Sequence, residues 1–211
     1  MELSASILSV AAALTLGAMS PGPSFIMVAR TSLAVSRQDG IAAAVGMGVG
    51  GVFFSVVALL GVLAILAAVP LLHLVLKAGG GAYLLYLGYR IWRSARQPLV
   101  LEVTSSQGSP TRVWRSFILG LTTQVSNPKT AIVYASVFAS LLPSEVPSFA
   151  LVALPIMIFA IETIWYSVVA LALSSPAPRA RYLASKAWLD RAAGAIMSAL
   201  GLKLIFDTQQ S

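Results

Sequence analysis

Two ionisable residues, Lys129 and Glu162, stand near the middle of long apolar runs in this 211-residue chain. At the centre of a membrane helix each would cost about 2.5 to 3.5 kcal/mol, so each needs a compensating interaction. One compensation is a salt bridge between them that sets helix register. The other is function: Glu162 exchanges a proton, and either residue meets a zwitterionic guest. Tyr166 follows Glu162 by four residues on one helix face, where its phenol can donate to the carboxylate or to a ligand.

A second kind of chemistry belongs to the backbone. Ser20-Pro21-Gly22-Pro23-Ser24 and Ser126-Asn127-Pro128-Lys129 each interrupt an apolar run. Proline lacks an amide donor and clashes with the preceding turn, so both helices should break at membrane depth. A helix restarting after Pro23 would turn its free N–H groups, the positive end of its dipole, toward the gap, where a carboxylate can bind. Asn127 and Lys129 would bring an amide and an ammonium to the same cavity. The expected substrate-binding set is therefore Ser20, Pro21, Gly22, Pro23, Ser24, Asn127, Pro128, Lys129 and Tyr166, with Glu162 as the proton-coupling group. The alternative is that Ser-Pro-Gly-Pro only links shorter helices or kinks one for packing. No zinc-binding His-Glu-x-x-His, nucleophile elbow or nucleotide loop occurs. His73 stands at a short turn with no acid beside it and reads as a surface residue. An enzyme is disfavoured, and no catalytic residue, metal site or cofactor is expected.

The elements that must position these residues are membrane helices. Hydrophobic residues make up 58% of the chain and charged residues 10%, too few to cover a water-soluble surface. Six apolar stretches, at about 4–29, 41–69, 71–92, 116–142, 149–174 and 188–206, can each cross a bilayer. Pro70, Pro143 and Pro147 mark tight turns. Residues 93–115 and 175–187 read as polar, basic loops. The absence of cysteine excludes disulfides and thiolate metal sites. The apolar start has no basic residue before it, only Glu2, and reads as a retained helix and not a cleaved signal.

The charge of +7 could suggest nucleic acid, but eleven of the fourteen Lys and Arg flank spans on one side. They are Arg30, Arg37, Arg90, Arg93, Arg96, Arg112, Arg115, Arg179, Arg181, Lys186 and Arg191. Because basic loops stay in the cytoplasm during insertion, both termini are predicted to face outward, and anionic headgroups are secondary contacts. Tyr83, Tyr86, Tyr89 and Trp92 read as interfacial anchors, not a base-stacking platform.

The chain also repeats itself. Gly81-Ala82 with Leu87-Gly88 in the third stretch matches Gly194-Ala195 with Leu200-Gly201 in the sixth. Leu16-Gly17 before the first break matches Leu119-Gly120 before the second. Two three-helix halves follow, about 1–92 and 116–211 around a loop at 93–115, within one transmembrane domain. Three is odd, so the halves insert in opposite senses. The predicted fold is an all-α membrane protein of six transmembrane helices in two inverted repeats, the first helix of each broken by proline. Gly46, Gly48, Gly50 and Gly51, and Gly79 to Gly81, read as close-packing positions, or as places where helices slide or leave room for substrate.

On these residues the chain resembles the LysE/RhtB amino-acid exporters, nearest the threonine and homoserine branch. The resemblance runs nearly end to end. It rests on Ser20-Pro21-Gly22-Pro23, Gly79-Gly80-Gly81-x-Tyr83-Leu84 with Gly88-Tyr89, Ser126-Asn127-Pro128-Lys129, and Glu162-Thr163. It implies proton-driven efflux of small neutral or cationic amino acids across a bacterial inner membrane. Two positions depart from the family pattern. Ser24 stands where an Asp is common, which favours a neutral substrate, and Thr122-Thr123-Gln124 replaces a common Asn. The expected partners are an amino acid, protons and the bilayer, with no nucleic acid; homo-oligomerisation is left open. The competing readings are a non-transporting scaffold, in which Lys129 and Glu162 only stabilise packing, and a channel.

Overall fold

The computed structural model describes residues 3–20, 22–68, 70–97, 112–142 and 146–209, all as helices and short connections. Eight helices occur among them: α1 (Leu3–Met19), α2 (Pro23–Ala34), α3 (Arg37–Ala68), α4 (Pro70–Ser94), α5 (Arg112–Val125), α6 (Pro128–Leu141), α7 (Ala150–Leu173) and α8 (Pro176–Gln209). Pro21, Pro143, most of the central loop, and the side chains of His73, Lys77, Arg112 and Arg179 lie outside the described residues.

Proline writes much of this punctuation. It is the first residue of α2, α4, α6 and α8, where its fixed φ suits the helix and its missing N–H would have no partner anyway. The first and fourth apolar stretches are each split in two, at residues 20–22 and 126–127, as the prolines require. α1 and α2 are bent by 56° to each other.

One expectation fails. Residues 175–187 are not a polar loop, because α8 begins at Pro176 and runs through them. Pro176 and Pro178 both sit in the first turn, where proline costs no intrahelical bond, and the Arg179–Trp188 segment that follows is free of helix breakers.

By length and composition, α3 (Arg37–Gly61) and α7 can each cross a membrane among the described residues, and the bent α1–α2 pair passes the same test taken together, as one broken span or as a re-entrant loop. α7 shows why lipid suits its exterior. Val152, Ile156, Ile164 and Val168 form an exposed i, i+4 stripe, while Leu154, Ile158, Glu162 and Tyr166 form the buried one. The helix is apolar outward and carries its polar groups inward, the reverse of a water-facing helix.

α3 packs between α5 and α7, α4 lies along α8 and against α6, and α2 rests on α3 and α7. Glycine permits the closest approaches. A Cβ on Gly46 would run into the Phe117 carbonyl, and one on Gly120 into the Ala43 carbonyl, so α3 and α5 meet backbone to backbone. Along α4 and α8 the contacts are reciprocal: Gly88 faces the Gly194 carbonyl and Gly194 the Gly88 carbonyl, while Gly201 faces the Gly81 carbonyl.

Two apolar cores result. One gathers Val10, Leu14, Leu84, Val133, Phe138 and Ile158. The other gathers Phe25, Val28, Met47, Tyr166, Val169 and Leu173, with Tyr182 of α8 stacked on Phe25 at 5.3 Å. Buried polar latches tie the periphery. Asp39 accepts from Ser116 Oγ of α5 at 2.8 Å, and Lys186 pairs with Asp190 at 2.7 Å.

Candidate functional site

The two breaks meet where the two cores adjoin. When α1 stops at Met19 its last carbonyls lose their intrahelical partners and form the negative end of a helix dipole. Lys129, in the first turn of α6, fills that need: Nζ donates to the Gly17 carbonyl at 3.2 Å and the Ser20 carbonyl at 3.0 Å. The ammonium is thus held by the broken backbone of the other half of the chain.

The helix starts on the far sides of the two gaps differ. Asn127 caps α6, its Oδ1 accepting from the Lys129 N–H at 3.0 Å. Gly22 precedes α2 with extended backbone and no side-chain cap, so of the two new N-termini only that of α2 keeps its amides free of a side-chain acceptor.

The remaining polar side chains are strung together across helices. Asn127 Nδ2 donates to Ser24 Oγ at 2.9 Å, and Ser24 Oγ donates to Gln124 Oε1 at 2.7 Å. Ser24, Asn127 and Gln124 are all buried. Glu162 is 3% exposed, and its Oε1 accepts from the Tyr134 hydroxyl at 2.9 Å. Its Oε2 is buried with no hydrogen-bond partner among the described residues. Gly51 makes room for this pair, since a Cβ there would lie 3.1 Å from both Glu162 Cγ and the Tyr134 hydroxyl.

These groups enclose a chamber of about 20 Å³, lined by Ser20, Gly22, Ser24, Asn127, Lys129, Glu162 and Tyr166, with Gln124 bonded behind Ser24 and Tyr134 in the wall. A space of that size is on the scale of one water, so a larger guest requires its walls to part. Pro23 and Pro128 do not line it. They line a neighbouring recess of about 430 Å³ that shares Ser20, Gly22, Asn127 and Lys129 with the chamber.

Seven of the ten residues singled out from the sequence therefore come together at the chamber, two sit beside it, and Pro21 lies outside the described residues. Two details differ from expectation. Lys129 and Glu162 form no direct salt bridge, because each has nearer partners: two carbonyls for the ammonium and Tyr134 for the carboxylate. The phenol that donates to Glu162 is Tyr134, while Tyr166 lines the same chamber. Tyr134 and the binding of Gln124 to Ser24 were not foreseen. The signal for Gln124 was present, as an amide three residues before Asn127 inside an apolar run. Tyr134 gave none, since aromatic residues are ordinary in such helices. Among the described residues no cluster of His, Asp and Glu suits a metal ion.

Comparison with known proteins points one way. The family described as LysE type translocator matches residues 15–208. The chain is 32% identical over 198 residues to the threonine efflux protein of Escherichia coli strain K12, covering 94% of this chain and 96% of that one. It is 33% identical over 187 residues to the threonine efflux protein of Salmonella typhi, covering 89% and 91%. It is 30% identical over 188 residues to the membrane protein YahN of E. coli K12, covering 89% and 83%. No solved structure matches.

Proposed function

This chain belongs to the LysE type translocator family, and from that premise we propose that it exports small neutral amino acids of the threonine and homoserine type by proton-coupled alternating access. It is a transporter and not an enzyme. The observation that carries the substrate class is the joint chamber. Two helix breaks from different halves of the chain enclose one ammonium, Lys129, and one buried carboxylate, Glu162. A zwitterion matches that charge pair, whereas a cationic amino acid would need a further anion, and Ser24 supplies none. Midplane sites built from broken helices are the recurring design of secondary transporters.

Glu162 is the proton-coupling group in this reading. A buried carboxylate oxygen with no donor is costly unless something positive meets it. A proton or the substrate ammonium can each fill that role, and one displacing the other couples their movements. Tyr134 holds the remaining oxygen through either exchange. Ser20, Gly22 and Asn127 form the wall through which Lys129 is reached; Pro21, Pro23 and Pro128 create the breaks; Tyr166 completes the floor.

The architecture we assign is six spans in two inverted repeats within one domain, in a bacterial inner membrane with both termini outward. α1–α2 and α5–α6 are the broken spans. The reciprocal Gly88 and Gly194 contacts, with Gly201 on Gly81, support it, because a two-fold axis relating α4 to α8 makes such contacts occur in pairs. Rocking of the halves would part the chamber walls to either side in turn.

Counterflow of a labelled amino-acid panel in proteoliposomes, with and without an imposed pH gradient, tests this. Wild-type protein should give saturable, gradient-driven threonine or homoserine flux. Glu162→Gln should lose the response to the gradient while retaining exchange. Normal gradient-driven flux in that variant would remove Glu162 from the coupling role, and conductance without saturation would indicate a channel.

A further inference from the structure

The larger recess beside the chamber carries an unbalanced positive charge that the chamber does not need. Its wall holds Arg90 of α4, its floor Lys129, and no Asp or Glu lines it. The two cations line one recess, and like charges facing a shared space repel unless an anion lies between them. Among the described residues Arg90 has no carboxylate within ion-pairing distance, and its guanidinium sits 5.8 Å over the Tyr86 ring, which orients it. A neighbouring surface pocket continues along α4 past Arg90 to Arg93, Ser94 and Gln97. Lys129 spends two of its three N–H donors on carbonyls, which leaves one for a guest.

Such a surface fits an oxyanion. Arg presents parallel N–H groups that match a carboxylate or phosphate fork to fork, and a recess lined with one sign of charge concentrates the opposite sign. Two sources share this chemistry, the α-carboxylate of an amino acid and the phosphate of a lipid headgroup. The recess shares four wall residues with the chamber, so an anion held there is one step from Lys129.

We propose that this recess is an entrance subsite, in which Arg90 captures the α-carboxylate of the outgoing amino acid and delivers it to Lys129, leaving the ammonium to lead toward Glu162. The subsite rests on the exporter reading. It adds a specificity element: a guest must carry a free carboxylate to be admitted from this side, whatever its side chain.

The test uses the full chain in proteoliposomes of zwitterionic phosphatidylcholine alone, with labelled threonine supplied to the Arg90 side. Arg90→Gln should raise the half-saturating concentration about tenfold, the scale of one charge-assisted bidentate contact, with a smaller change in maximal rate. Arg90→Lys, which keeps the charge but not the fork, should fall between and also shows that the variant site folds. Inhibition by threoninamide, which lacks the carboxylate, should be the same in wild type and Arg90→Gln. An unchanged half-saturating concentration in Arg90→Gln overturns the subsite. So does an effect that appears only when phosphatidylglycerol is added, which would assign Arg90 to a lipid headgroup. Absence of saturable flux in wild type would instead overturn the exporter reading beneath it.

Discussion

At the residue scale the site is a problem of partners. Ser24 is the joint of the polar string, accepting from Asn127 and donating to Gln124. Ser24→Ala strands a buried donor and a buried acceptor, so a loss of about 1 to 3 kcal/mol is expected, read as a lowered melting temperature in detergent. Ser24→Asp places a second carboxylate in the chamber beside Glu162. Counterflow should then shift from threonine toward lysine and arginine; selectivity that stays with neutral amino acids would show that charge count does not set substrate class. Tyr134→Phe removes the hydrogen-bond donor on Glu162 Oε1. It should fold yet respond less to a pH gradient than wild type, which gradient-driven flux measures directly. From the sequence, Lys129 and Glu162 stood out because charge within an apolar run is costly. Tyr134 did not, because a phenol there has no such cost until its neighbour is known.

At the element scale the breaks and the glycines do the positioning. Both α2 and α6 begin with proline, but only α6 has a side-chain cap, Asn127. Asn127→Ala should lower stability by about 1 kcal/mol through loss of the cap, and more if the Ser24 contact counts separately; denaturation monitored by helix circular dichroism measures it. Gly22 separates size from backbone. A Cβ at that position lies 3.5 Å from Lys129 Nζ, an ordinary contact, so Gly22→Ala should transport, whereas Gly22→Val should push the ammonium off its carbonyls and cut flux steeply. Gly120→Val, on α5 and facing the Ala43 carbonyl of α3, should lower the yield of folded protein through overpacking of about 1 to 3 kcal/mol or more. The helix breaks were legible in the sequence because proline acts locally. The helical run through 175–187 was not, since prolines at a helix start and prolines in a loop look alike without the helix that follows.

At the scale of the whole molecule the question is how two halves share one chamber. The chain contains no cysteine, so single cysteines can report topology in the native sequence. A cysteine at Phe149, in the turn before α7, should react with an impermeant maleimide in right-side-out vesicles, and one at Ser175, before α8, only in inverted vesicles. The opposite pattern would reverse the orientation assigned from the basic loops. The chamber's small size makes a second expectation: threonine should protect a cysteine at Ser20 from a small thiol reagent only once flux conditions open the walls.

What the sequence alone determined is what chain-local physics can encode. Its composition called for lipid, its prolines placed the two breaks, and the cost of buried charge marked Lys129 and Glu162. Only the tertiary structure decided who meets whom. Lys129 is held by carbonyls more than a hundred residues away, Glu162 by Tyr134 from another helix, and Ser24 by two side-chain amides at the second break. Two of the groups involved sit against glycines of α3, Gln124 against Gly50 and the Glu162–Tyr134 pair against Gly51. A hydrogen bond is set by ångströms between helices, and a sequence states separations only along the chain.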